Sequence, residues 1–151
     1  MGNKAALKRV MPTMLNHEGV WVGEYQHIDL EGHIVDAHSS HIVCEFPDDG
    51  PYAYVQYNTF TWPDGQVFKA ELPGTLKDGA LWWDVDTFHG KAWETTEGLI
   101  LLHLVRKDLE GGEFFEIIVP GGDGKTRART WHWFQHGTLF KRTLCNEKRQ
   151  M

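Results

Sequence analysis

Turn-forming residues divide most of this sequence into short segments, and their spacing restricts the possible folds more than any other feature. From Gly19 onwards, clusters of Gly, Pro and Asp alternate with segments rich in aromatic and β-branched residues. Such segments are typical of β-strands, and the clusters between them are typical of tight turns. The pattern predicts about ten strands. They span residues 19–31, 34–46, 52–62, 66–72, 80–87, 91–95, 99–106, 113–120, 126–135 and 138–147. Two of the predicted turns are at Pro73-Gly74 and at His89-Gly90.

The connections between these segments are too short to contain helices. Parallel strands need crossover connections of about a dozen or more residues, so neighbouring strands are expected to be antiparallel. An open sheet of this many strands would expose two unpaired edges, and closure into a barrel removes them. The predicted fold is therefore all-β, a closed antiparallel up-and-down barrel of about eight to ten strands.

The first part of the chain predicts a different element. Apolar residues recur there at helical spacing, namely Leu7, Val10, Met11, Met14 and Leu15. We expect a helix over residues 4–15 that is short or broken, because Pro12 removes one backbone donor. Segment 99–106 is apolar on both faces, and this helix is a candidate to cover its outer side. The 151 residues contain no repeat or linker, so we expect one domain over 1–151 with the barrel at 19–149.

Charge and composition exclude several classes of function. The formal net charge is −6, whereas a nucleic-acid partner requires a basic surface. No apolar run reaches the roughly 20 residues of a membrane-spanning helix. The N-terminus lacks the apolar segment of a secretory signal, so a cytoplasmic location is expected. Cys44 and Cys145 are then expected to be reduced and buried.

Alternation along the first and ninth predicted strands indicates which side chains face the barrel interior, because successive strand residues point to opposite sides. In the first strand, the set containing Trp21, Tyr25 and His27 suits the interior, where Gly23 leaves space. In segment 126–135 we favour the face that carries two arginines and two tryptophans. These residues are Arg127, Arg129, Trp131 and Trp133. A buried unpaired charge is costly, so an inward arginine must be paired or must meet an anion. The alternative is that both arginines are solvated outside.

The start of the first predicted strand resembles a known family. Residues 19–25, Gly-Val-Trp-Val-Gly-Glu-Tyr, are similar to the Gly-x-Trp-x-Gly-x-Tyr opening of lipocalin-like barrels of the calycin superfamily. The resemblance implies an up-and-down barrel with an interior ligand cavity. It also implies that Trp21 lies at the closed end, with Lys148 or Arg149 from the last strand packed across it. Residues 127–133 and 137–149 resemble a bacterial group of uncharacterised lipocalin-like proteins.

Three related classes fit the sequence less well. Secreted lipocalins carry a signal peptide and a disulfide pair. Fatty-acid-binding proteins place a helical lid between their first two strands, and the Glu31-Gly32 turn leaves no room for one. Nitrobindin-like haem barrels also open with Trp-x-Gly, but no strand here matches their proximal histidine. We therefore expect no cofactor.

Nine histidines raise the question of a metal site. The densest cluster contains His38, His41 and Glu45, but residues 38 and 41 lie on opposite faces of a strand. His132 and His136 share a face, but two ligands do not make a zinc site, which needs three or four. No metal site is predicted.

The expected function is binding of a small hydrophobic or aromatic molecule inside the barrel. Its predicted contacts are Tyr25, His27, His103, Arg129, Trp131 and Trp133. A carboxylate on the molecule would face Arg129, and His103 is interpreted as an interior polar anchor or a satisfied core histidine. One alternative is a cofactor-independent lyase or isomerase, which requires at least two of Tyr25, His27 and His103 to converge. Another is a filled barrel that acts through its surface, for instance as a homodimer.

Overall fold

The structure, a computed structural model, describes residues 1–151 and contains two N-terminal helices followed by ten strands. The helices are α1 (Asn3–Val10) and α2 (Pro12–Leu15). The strands are β1 (Gly19–Ile28), β2 (Ile34–Glu45), β3 (Tyr54–Thr61), β4 (Val67–Lys77), β5 (Ala80–Asp84), β6 (Phe88–Glu94), β7 (Ile100–Arg106), β8 (Gly112–Pro120), β9 (Thr126–Gln135) and β10 (Thr138–Gln150).

All ten strands form one closed barrel in which neighbours in the chain are also neighbours in the sheet. The barrel closes where β1 pairs with β10, and every pair of strands is antiparallel. This topology needs only hairpin turns between consecutive strands, and the short connections of the sequence supply them. The predicted fold class is therefore confirmed.

The predicted turn at Pro73-Gly74 is wrong, because both residues lie inside β4. This strand pairs with β3 as far as Gly74 and with β5 only from Thr75 onwards. Pro73 therefore has a ladder partner on one side only, where a missing backbone donor is tolerated. The chain turns instead at Asp78 and Gly79, which both have positive φ angles, of 51° and 74°.

The predicted turn at His89-Gly90 is also wrong, because both residues belong to β6. Gly90 has a φ of +154°, and a Cβ there would collide with the backbone carbonyl of His103 on β7. The glycine permits a close approach of two strands. The same residue type would favour a turn, so its position in the sequence does not distinguish the two uses.

The helical segment is broken before Pro12, as expected, but it covers the end of the barrel and not the outer side of β7. Leu7, Met11 and Met14 pack into the core together with barrel side chains. The backbone amides of Thr13 and Met14 donate hydrogen bonds to the carboxylate of Glu94, at the end of β6. Neither helix has the length and apolar character needed to cross a membrane.

Trp21 lies at the end of the barrel that the helices cover. Its side chain is 2% exposed, and its indole Nε1 donates a hydrogen bond to the carbonyl of His17. The guanidinium carbons of Arg127 and Arg149 lie 4.5 and 4.4 Å from the centre of its ring. Arg149 makes the contact implied by the resemblance, because it is the direct partner of Trp21 in β10. Lys148 is exposed.

The space that Gly23 leaves on β1 is filled by Glu147, its partner on β10. A Cβ at position 23 would lie 2.9 Å from Cγ of Glu147 and would collide with the carbonyl oxygen of Asn146. The side chain of Glu147 is fully buried. The glycine therefore admits a buried carboxylate at the closed end.

Candidate functional site

A cavity of about 320 Å³ occupies the barrel interior between its middle and the end opposite the helices. Of its 22 lining residues, 13 are hydrophobic, as is typical of small-molecule sites. The apolar and aromatic wall includes Phe60, Phe68, Ala70, Leu72, Trp83, Phe88, Leu102, Leu104, Phe114, Ile118, Trp131 and Trp133. The barrel is thus not filled by its own side chains.

Five of the six predicted contact residues line this cavity. Tyr25 and His27 enter from β1, and Arg129, Trp131 and Trp133 enter from β9. Strand alternation places them there, since each set occupies every second position of its strand. The favoured face of segment 126–135 is thus the inner one, and the structure places both arginines inside. Contact of these residues with a ligand stays a prediction.

His103 does not line the cavity, which corrects its expected interior position. The cavity wall contains Leu102 and Leu104, so the residue between them points outward. Nε2 of His103 lies 2.6 Å from a carboxylate oxygen of Glu113, and its ring stacks on Phe115 with centroids 4.3 Å apart. Because β7 is apolar on both faces, the sequence pattern alone could not decide which face is inside.

Four charged side chains form a buried network at the closed end of the cavity, which two of them, Arg129 and Glu116, line. Nε of Arg127 donates to Glu147 at 2.6 Å, and Nε of Arg129 donates to Glu116 at 2.8 Å. A second nitrogen of Arg129 donates to the hydroxyl of Tyr25 at 2.8 Å and lies 3.5 Å from Glu147. Two cations and two anions cancel within this network.

The electrostatics of the network keep Arg129 charged and Tyr25 neutral. Burial opposes the charge of Arg129, but Glu116 together with Tyr25 and Glu147 outweighs burial and raises the arginine pKa. Burial also raises the pKa of Tyr25, so its hydroxyl stays protonated. Since the chain itself balances the charge of Arg129, a ligand carboxylate would have to compete with Glu116 and Glu147 for this residue, and the predicted contact stays a prediction.

A cation without a salt-bridge partner lies beside Trp133, near the rim of the cavity. The ammonium of Lys141 is 4.3 Å from the ring centre of Trp133, and no carboxylate of the chain lies within 4.0 Å of it. Burial lowers its pKa, and the nearby Arg106 lowers it further. Arg106, by contrast, is already paired with Asp108 at 2.6 Å.

Two histidines meet at the same rim. Nε2 of His27 on β1 lies 3.4 Å from Nε2 of His38 on β2. Nδ1 of His27 lies 2.8 Å from the hydroxyl of Thr143, which also accepts a hydrogen bond from Trp133. Burial lowers the pKa of His27 to about 4, with Lys141 as the next cause, and it also lowers the pKa of His38.

Sequence reasoning missed His38 as a lining residue, together with Gln56 and Asn58 on β3. Gln56 donates to the side-chain oxygen of Asn58 at 2.8 Å, and the Asn58 amide nitrogen donates no hydrogen bond within the chain. Alternating polar residues along residues 54–58 were the available signal. His38 required the register in which it lies opposite Tyr25, and turn signals do not fix that register.

Tyr25, His27 and His103 do not come within hydrogen-bond distance of one another, as the predicted proton-transfer chemistry would require. The rings of Tyr25 and His27 have centroids 6.2 Å apart, and no hydrogen bond joins them. His103 lies on the other side of the barrel wall. A general base is most effective with a pKa near the working pH, whereas the pKa of His27 is about 4.

Comparisons with known proteins support the fold. No protein-family model and no curated protein matches the sequence. A protein of unknown function from the DUF3598 family of Nostoc punctiforme is 19% identical, with a TM-score of 0.71 over 91% of this chain and 49% of that one. This chain thus spans about half the length of the Nostoc protein. The S-type phycobiliprotein lyase CPES from Guillardia theta is 17% identical, with a TM-score of 0.73 over 93% of this chain and 92% of that one.

Proposed function

We propose that this protein binds a small, flat and mainly apolar molecule inside its barrel. The observation that carries the proposal is the cavity of about 320 Å³, enclosed by a wall in which hydrophobic residues predominate. Sites of this kind usually combine an apolar wall with a few polar groups that fix orientation. The lipocalin-like character of the sequence opening supports the same function, as does a closed end sealed by Trp21.

Aromatic side chains on neighbouring strands favour a flat ligand. Tyr25 lies 4.8 Å from both His38 and Phe60, measured between ring centroids, and 5.3 Å from Trp131. Aromatic pairs gain energy from offset or edge-to-face contact beyond the area that they bury. A ligand ring bound against these side chains would gain contacts of the same kind.

Two polar groups favour an anionic or carbonyl-bearing ligand. Asn58 has an amide nitrogen without a partner in the chain, and the ammonium of Lys141 forms no salt bridge. A half-buried cation gains when an anion replaces its lost water. We therefore expect the apolar part of the ligand to lie inside and an anionic group to lie at the rim near Lys141.

The likeness to a phycobiliprotein lyase supports a barrel that handles a small molecule. At 17% identity, this likeness supports a shared fold but does not identify a substrate. It is the reason to include a phycobilin among the molecules tested for binding.

The test is titration with 1-anilinonaphthalene-8-sulfonate, an aromatic anion whose fluorescence rises in apolar surroundings. Ala70 lines the cavity, whereas the adjacent Lys69 is exposed on the same strand. We expect Ala70→Phe to weaken binding at least about tenfold, because the added ring occupies cavity volume. Lys69→Phe is the matched control and should leave the affinity unchanged.

Two results would contradict the proposal. One is equal binding by Ala70→Phe and the unchanged protein, which would place the dye on the outer surface. The other is the absence of binding for the dye, a phycobilin and a panel of aromatic acids. Circular dichroism of each variant verifies that the barrel is folded.

A further inference from the structure

A compact group of metal-ligating side chains lies at the cavity rim. His27 of β1 and Asp36 of β2 are direct cross-strand partners, and His38 follows two residues later on the same face. Their potential ligand atoms all lie within 4.8 Å of one another. The three side chains come from two neighbouring strands, so the group forms only when β1 pairs with β2.

The distance between the two imidazoles fits a shared metal ion. With metal–nitrogen bonds of about 2.0–2.1 Å, a tetrahedral zinc ion separates its ligand nitrogens by about 3.3–3.4 Å. The Nε2 atoms of His27 and His38 are 3.4 Å apart. Hydrogen bonds from nitrogen donors are usually about 2.9–3.0 Å long, so the observed separation is long for a direct hydrogen bond.

Each ligand is also held by a second partner on its far side. Nδ1 of His38 lies 3.3 Å from the carbonyl of Ser39, which can only accept, so Nδ1 carries the proton and Nε2 has a free lone pair. Nδ1 of His27 contacts the hydroxyl of Thr143, whose oxygen can accept a hydrogen bond from Nδ1 in the same way. Metal-bound histidines are oriented in this manner in most protein sites.

Asp36 completes the set from the exposed side of the rim. Its two carboxylate oxygens accept hydrogen bonds from Nε1 of Trp62 at 3.1 and 3.3 Å. To reach tetrahedral geometry it must approach the histidines by at most about 1.5 Å, which rotation of an exposed side chain permits. Its negative charge offsets the nearby cation of Lys141.

We propose that His27, Asp36 and His38 form a site for one divalent transition-metal ion, with Zn²⁺ as the reference ion. Two imidazoles and one carboxylate are a common ligand set for zinc, and they leave a fourth position open. His27 and His38 also line the cavity, so an ion held by them borders the space assigned to the ligand. The metal site does not depend on that ligand and is expected to form with the cavity empty.

The experiment titrates Co²⁺ into protein freed of metal by a chelator and follows the visible absorption of tetrahedral Co²⁺, with Zn²⁺ as competitor. We expect one equivalent to bind. Asp36→Asn and His38→Ala should each weaken binding at least about tenfold. Trp62→Phe should also weaken it, because it removes the outer-shell donor to Asp36, and such partners typically contribute about 10- to 100-fold.

Two exposed histidines provide matched controls. His41 lies on the outer face of β2, and His33 lies in the turn before it. His41→Ala and His33→Ala should bind Co²⁺ like the unchanged protein. Asp36 is exposed, so Asp36→Asn should fold even if His38→Ala does not.

The proposal is overturned if the unchanged protein takes up no Co²⁺, or if Asp36→Asn binds it as tightly as the unchanged protein. Loss of binding in His33→Ala or His41→Ala alone would also overturn it, because it would place the ion outside the barrel. Dye binding by metal-free protein is measured in parallel. It separates a failure of the metal site from a failure of the cavity as a ligand site.

Discussion

The two ends of the barrel interior contain similar residue types but use them differently. At the closed end, Arg127 and Arg129 are paired with Glu116 and Glu147 in a buried network of zero net charge. At the open end, Lys141 has no carboxylate partner, and the two histidines face each other without a good hydrogen bond. The charges of the closed end are balanced by the chain itself, whereas the open end has a cation without a salt-bridge partner.

This difference shows why a buried charge is not in itself a binding residue. An arginine inside a barrel can bind an anion only if the chain has not already balanced it. Arg129 lines the cavity, but its Nε and one terminal nitrogen already donate to Glu116, Tyr25 and Glu147. We therefore expect an anion to bind at the rim, where burial is partial and Lys141 has no salt-bridge partner.

Removing one charge from the closed end should have the largest effect. Glu147→Gln leaves the buried Arg127 without its counter-ion, and breaking a buried pair in this way typically costs about 3–5 kcal/mol. We expect a loss of that size in the free energy of unfolding, measured with urea. Glu113→Gln is the control, because its partner His103 is on the outer face and both side chains are 33% exposed. An exposed pair contributes about 0–1 kcal/mol. Equal losses in the two variants would show that the buried network is not what stabilises the closed end.

Some features of the fold could be predicted from the sequence and others could not. Turn chemistry and alternation were enough for the strand number, the barrel and the inner face of β9. They failed where one residue type has two structural uses, as for Gly90, which permits a close strand approach in place of a turn. They also failed where a strand is apolar on both faces, as for His103.

The candidate metal site shows a further limit. Alternation correctly separates His38 from the outward-facing His41, but it says nothing about the neighbouring strand. His27, Asp36 and His38 meet only because β1 and β2 pair in one particular register. A bulge between His27 and Ile28 shifts that register at its end, and no turn signal encodes it.

A pH titration should show a graded effect of the closed end. Burial lowers the pKa of His17 to about 3, with Arg127 as the next cause, whereas an unfolded histidine titrates near 6.5. The unfolded chain therefore takes up a proton below pH 6.5 that the folded chain refuses. Stability should fall with decreasing pH between about 6.5 and 3, by at most about 1.4 kcal/mol per pH unit from this residue. Above pH 6.5 it contributes no pH dependence.

The measurement is urea unfolding at several pH values between 4 and 7. His17→Gln removes the titrating group and should flatten this part of the profile. His33→Gln removes an exposed histidine and should leave the slope unchanged. An unchanged slope in His17→Gln would mean that His17 takes up its proton over the same pH range in the folded and the unfolded protein.

At the open end, Lys141→Met should barely change stability but should change binding selectively. The lysine has no carboxylate partner to lose, so we expect a change in unfolding free energy within about 0.5 kcal/mol. Loss of a charge-assisted contact should weaken binding of 1-anilinonaphthalene-8-sulfonate about tenfold. N-phenyl-1-naphthylamine has the same ring system without the sulfonate, and its affinity should not change. Lys148→Met, on the exposed face of the same strand, is the control for net charge.

The same variant acts in the opposite direction on the metal site, because Lys141 opposes positive charge near His27. Co²⁺ should therefore bind Lys141→Met several-fold more tightly, since unit charges a few ångströms apart near a protein surface interact by a few kcal/mol before screening. Weaker anion binding together with stronger cation binding would identify Lys141 as the residue that sets the charge preference of the rim. If both ligands instead bind more weakly, the lysine stabilises the shape of the rim. The contrast between the charge-balanced closed end and the unpaired cation at the open end would then have to be explained by packing.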